Sequence, residues 1–189
     1  MPRRLLTILA AVYVVAAAIG FASSGLEASA DRIADARVWT LLTSALQPDG
    51  PWPLAQIALL AVLSAAVIVR FGPVTWWASA LAGHVGSALI AYAAIGIADA
   101  LGVASADRAG GQPDFGVSCV VGGSVGALLG AGYASGDRRA TAVGLAGLVI
   151  SVPFSLGWYD VEHVLSVLLG AAAAWSITSR RRDARDRRV

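Results

Sequence analysis

Ser118, in Asp114-Phe115-Gly116-Val117-Ser118-Cys119, and His163, in Tyr159-Asp160-Val161-Glu162-His163, each stand at the start of an apolar stretch. A serine hydroxyl is a poor nucleophile at neutral pH until a neighbouring base takes its proton, and imidazole is suited to that task. Each residue lies about four positions inside its stretch, roughly 6 Å deep at 1.5 Å per helical residue. Matching depths on one membrane face suggest the nucleophile and base of a hydrolase that works inside the bilayer. Ser118 also falls in the first turn of its helix, where backbone amides lack intrahelical acceptors and the dipole favours negative charge. A tetrahedral intermediate formed on Ser118 could therefore accept from the residue's own amide.

Other polar residues compete for supporting roles. Gln56 lies four residues past Trp52, again about 6 Å deep, and its amide could donate to an oxyanion. His84, in Gly83-His84-Val85-Gly86-Ser87, counts to roughly 20 Å or more below Asp99, too deep to serve Ser118. An intramembrane histidine is a functional candidate by default, with a hydrogen bond to a neighbouring helix as the plainer alternative. Asp114, Asp160 and Glu162 flank the pair. One of them could orient His163, but acidic residues at helix starts more commonly answer the helix dipole. Cys119 is the only cysteine, so neither an intrachain disulfide nor a cysteine-based metal site is expected. A serine–histidine mechanism requires no metal or organic cofactor.

These residues need a membrane scaffold. The chain is 57% hydrophobic and 14% charged, with a mean hydropathy of +0.71, which points to the bilayer as solvent. Six stretches are long enough to cross or nearly cross it, at 5–22, 52–69, 74–97, 115–133, 140–158 and 161–178. They use up most of the 189 residues, so one all-α, six-helix bundle is expected as a single domain. With a cytoplasmic amino terminus, eleven of the fourteen arginines fall in inner segments and nine of the twelve acidic residues in outer ones. This positive-inside pattern predicts a multi-pass cell-membrane protein with both termini cytoplasmic. The basic tail 179–189 then reads as an anchor touching anionic lipid, not as a nucleic-acid arm. The first stretch, at about 18 residues, exceeds the ~7–15 of a signal-peptide core and reads as a retained span. Between the first two spans, Ile33, Val38, Leu41, Leu42 and Ala45 follow helical spacing, as in a segment lying at the outer interface with Trp39 as its anchor.

Ser118, Gly122, Gly126 and Gly130 recur every four residues, and Ser166, Gly170 and Ala174 repeat the pattern below His163. Small residues on one face let membrane helices approach for van der Waals contact. The two ridges therefore predict that the fourth and sixth spans pack together.

On these residues the chain resembles the rhomboids, six-span intramembrane serine peptidases. Gly116-Val117-Ser118 matches the Gly-x-Ser of their fourth span, with Gly123 and Gly126 at the following glycine positions. His163, Ser166 and Gly170 match their sixth span, and Trp39-Thr40 with Thr43 partly match their first outer loop. The glycine after the serine is here Cys119, the aromatic one turn on is Gly122, and the second span offers Gln56 where rhomboids usually carry a histidine and an asparagine. The resemblance implies a Ser118–His163 dyad that cleaves membrane-anchored proteins near the outer face. The alternative is a non-catalytic rhomboid-like scaffold that binds or escorts other membrane proteins. A small transporter or channel is a third reading, with only His84 in its favour.

Overall fold

The computed structural model describes residues 3–20, 25–48, 52–152 and 157–187. Its helices are α1 (Arg3–Gly20), α2 (Ala30–Ala34), α3 (Thr40–Thr43, continued by a 3-10 turn at Ser44–Leu46), α4 (Pro53–Phe71), α5 (Pro73–Ala100), α6 (Ala104–Gly110), α7 (Val117–Ser135), α8 (Arg138–Ser151) and α9 (Val161–Asp186). No strand occurs among the described residues, only an isolated bridge between Ala28 and Asp114. Five helices, α1, α4, α5, α7 and α9, are long and apolar enough to cross a membrane. The stretch expected as the fifth span, 140–158, holds the 14-residue α8, which is not one of these five, and positions 153–156 lie outside the described residues.

Two boundaries differ from the sequence reading. The arginine tail continues α9 as helix to Asp186, because Arg and Ala are good helix formers and nothing in Ser179–Arg185 breaks the ladder. The stretch between the third and fourth expected spans contains a further helix, Ala104–Gly110. Two sharp reversals follow α4 and α7. Gly72 and Gly136 hold φ of +89° and +78°, a region that costs an L-residue side chain energy and glycine almost nothing.

Helix α7 is the centre, with 67% of its apolar window buried against at most 44% in the other four. Glycine is the reason. A Cβ at Gly126 would stand 2.6 Å from the Ala171 amide nitrogen of α9, and one at Gly83 of α5 2.7 Å from the Gly123 Cα. The expected seam between the Ser118 and His163 helices is thus present, and α5 closes on its other side. Trp76 of α5 is fully buried and donates to Ser124 of α7 at 3.1 Å.

The segment around α3 goes deeper than an interface helix. Thr40, Leu41, Ser44, Ala45 and Gln47 are buried. Tyr13 of α1 donates to the Ala45 carbonyl at 2.6 Å, and Thr43 to Leu26 at 2.9 Å. Val38, Trp39 and Leu42 of the same segment are exposed. The helical spacing seen in the sequence is therefore divided between bundle and surroundings.

At the end of α7 far from Ser118, Asp137 caps α8 by accepting from the Arg139 and Ala140 amides at 3.1 Å each, and meets Arg70 at 2.8 Å. The Ala140 amide bond and the Arg70 charge hold its carboxyl below the usual range. A folded-state pKa below the unfolded value stabilises above about pH 4 and is lost as pH falls through the folded value. The Tm of Asp137→Ala should lie below wild type at pH 7 and converge with it towards pH 3, as read by thermal unfolding in detergent. A constant gap across that range would remove the electrostatic part of this explanation.

Candidate active site at the starts of α7 and α9

Helices α7 and α9 run side by side in the same direction, and their glycine seam fixes the register. A Cβ on Gly122 would fall 3.1 Å from the Ser166 Cβ and 3.4 Å from the His163 carbonyl oxygen, and one on Gly126 3.0 Å from the Gly170 carbonyl carbon. One turn higher, this register sets the turn bearing Ser118 against the turn bearing Glu162 and His163. Both candidate residues are half-buried.

No hydrogen bond joins them among the described residues. The Ser118 hydroxyl donates to the Phe115 carbonyl of its own turn at 3.3 Å. The His163 Nδ1 is buried and has no hydrogen-bond partner. An unpaired imidazole nitrogen in a protein interior is costly unless something completes it. Ser118 and His163 thus share a level, each without the other.

The helix-start amides are only partly available. Gly116 N–H donates to the Ser44 carbonyl at 2.9 Å and Val117 N–H to the Gln47 carbonyl at 3.3 Å. The segment after α3 therefore caps α7 with its backbone. No backbone acceptor meets the amides of Ser118 and Cys119 among the described residues, so these remain to receive a negative oxygen.

His84 corrects the depth estimate made from the sequence. Its ring lies against Gly116, two residues from Ser118, where a Cβ would come 2.6 Å from Nδ1. Counting from Asp99 failed because α5 has 28 residues, about 42 Å of helix against a hydrocarbon core of roughly 30 Å. Its far end therefore extends past the level at which α7 begins. His84 also sits in a π-helical turn, Ala82–Gly86, a local widening often found at functional positions. Its Nε2 lies 2.6 Å from the Leu41 carbonyl and 3.4 Å from the Ser44 hydroxyl. A carbonyl only accepts, so Nε2 carries a proton, and Nδ1 is buried without a hydrogen-bond partner. The plain alternative, a histidine bonded to a neighbouring segment, describes these contacts, and the bond ties the α3 segment to α5.

The acidic candidates do not orient His163. Asp114 accepts from the Tyr92 hydroxyl at 2.5 Å and pairs through its backbone with Ala28. Asp160 accepts from the Gly157 amide at 2.9 Å, closing the turn into α9. Gln56 is half-buried in the first turn of α4 and has an interaction of its own, with no hydrogen bond to Ser118.

The sequence reading undervalued Glu162. It is 1% exposed, its Oε2 accepts from the Cys119 thiol at 3.6 Å, and its Oε1 has no partner. The signal was present, since Glu162 continues the Ser166–Gly170–Ala174 ridge upward by four, whereas His163 stands one residue, about 100° of helix, to the side. Cys119 is correspondingly a donor to a buried carboxyl group. Tyr92 completes the group and packs edge-on to Tyr159 at 6.0 Å. The Tyr159 hydroxyl donates to Ala109 at 2.7 Å, and burial pushes it above the usual phenol range.

Compared with protein-family models, with curated proteins and with solved structures, the chain matches none.

Proposed function

We propose that this chain is a rhomboid-like intramembrane serine peptidase, a six-span protein of the cell membrane with both termini cytoplasmic, acting on membrane-anchored proteins near the outer face. The observation that carries the reading is the glycine seam, whose register brings the first turns of α7 and α9 to one level with an unpartnered His163 Nδ1. Rotation of the Ser118 side chain away from Phe115 frees its hydroxyl. In the proposed reaction Ser118 Oγ attacks the peptide carbonyl carbon while its proton passes to His163. The carbonyl π electrons move onto oxygen, which the Ser118 and Cys119 amides receive. Collapse breaks the C–N bond, and His163 returns the proton to the leaving amine. Water then attacks the acyl carbon as His163 takes its proton, the C–Oγ bond breaks, and His163 returns the proton to Ser118 Oγ.

A non-catalytic scaffold is the second reading. It is favoured by the Ser118–Phe115 bond and by the loop carbonyls that occupy the Gly116 and Val117 amides. Proteoliposomes with a single-span reporter substrate distinguish the two. The peptidase reading expects a cleaved product that is lost in Ser118→Ala. A reporter that co-purifies uncut with both wild type and Ser118→Ala would favour the scaffold.

A further inference from the structure

The end of the bundle opposite Ser118 holds a cavity of about 280 Å³ lined by Arg3, Arg70 and Arg181 together with the turn from Phe71 to Val74. Only Arg70 has a carboxylate partner among the described residues, Asp137 at 2.8 Å. Arg181 is held by neutral groups, donating to the Phe71 carbonyl at 3.0 Å and the Thr75 hydroxyl at 3.3 Å. Its charge is positioned and uncompensated. The same cavity receives the start of α5, where Pro73 has no amide hydrogen and the Gly72 N–H is bonded to Ile68, so the Val74 and Thr75 amides are the ones left outside the helix's own ladder and carrying positive partial charge. Two cations without a carboxylate partner, Arg3 and Arg181, and a helix start converging on one concavity suit a phosphate.

The cavity is not isolated. Ile68 and Val69 line it and also line an adjoining groove of about 370 Å³ between α1 and α4, with Ala10, Val14 and Ala65. Ser64 lines the groove too; the residue is 3% exposed and its buried hydroxyl has no hydrogen-bond partner. It is a polar atom in an apolar trough, about 9 Å along the helix from Arg70.

We propose that cavity and groove together form a site for one anionic phospholipid. The phosphate sits between Arg3, Arg181 and the start of α5. One acyl chain runs along the α1–α4 groove, and the Ser64 hydroxyl donates to its ester oxygen. A free phosphate would satisfy the arginines but leave the groove and Ser64 unfilled, which is why the occupant is a lipid. The site is independent of any chemistry at Ser118.

Native mass spectrometry of the full chain in detergent tests this, with phosphatidylglycerol, phosphatidylcholine or inorganic phosphate added. One phosphatidylglycerol should be retained, on the order of 10-fold more tightly than phosphatidylcholine, the scale expected for two arginines facing an anionic headgroup. The double variant Arg3→Gln/Arg181→Gln should lose the preference, and Ala65→Leu, which fills the groove, should weaken retention of both lipids. Arg3→Gln alone should lower the preference measurably even if the double variant folds poorly, since no hydrogen bond of the Arg3 side chain is lost. A preference unchanged in Arg3→Gln would overturn the proposal. Displacement of the lipid by equimolar inorganic phosphate, with Ala65→Leu behaving as wild type, would also overturn it in favour of a bare anion site.

Discussion

Gly126→Leu should prevent the bundle from forming. Gly126 lies where α7 and α9 touch backbone to backbone, and even a Cβ would come within 2.6 Å of the Ala171 amide nitrogen and 3.0 Å of the Gly170 carbonyl carbon. Overpacking usually costs about 1–3 kcal/mol because neighbouring side chains adjust. Here the neighbours are main-chain atoms of a helix fixed on its other side, so the two helices must separate. Separation forfeits the close van der Waals contact that holds membrane helices together where lipid provides no hydrophobic reward. The loss should be on the order of 3 kcal/mol or more, read as aggregation on size exclusion and loss of a cooperative thermal transition in detergent. Gly96→Ala is the control, since nothing lies within 4 Å of its Cβ position, and it should behave as wild type. Normal folding of Gly126→Leu would mean that the seam does not set the register on which the candidate site depends.

The seam was the most legible part of the fold. Its four-residue spacing follows from helix geometry and requires no tertiary knowledge, and both ridges pack as their composition indicates. The position of His84 was not legible. A depth count assumes helices of equal length and common ends, and α5 violates both assumptions. The insertion of the α3 segment was also hidden, because helical spacing gives an apolar face without saying what covers it. Its carbonyls at Ser44 and Gln47 take two of the amides that the sequence leaves to an oxyanion, and backbone capping across 70 residues leaves no residue-type signature. Glu162 illustrates a further ambiguity. An acidic residue at a helix start has the same sequence appearance whether it faces water or, as here, is shut inside.

Fluorophosphonate labelling of Ser118 is the measurement that tests the central claim most directly. A hydroxyl activated by a histidine attacks phosphorus, expels fluoride and leaves a stable phosphonyl serine, so the probe reports the pair without requiring a known substrate. Purified protein in detergent at pH 7–8 should be labelled at Ser118, as identified by peptide mass. Labelling should vanish in Ser118→Ala and fall by about 10²–10⁴-fold in His163→Ala, the range associated with a positioned general base. Both variants should keep the wild-type thermal transition, since Ser118→Ala leaves a small residue at the top of the α7 ridge and the His163 ring stands to the side of the α9 ridge. Absence of label on the wild type, under conditions that label an active intramembrane serine peptidase, would contradict the catalytic reading and leave Ser118 as the uppermost small residue of the α7 ridge.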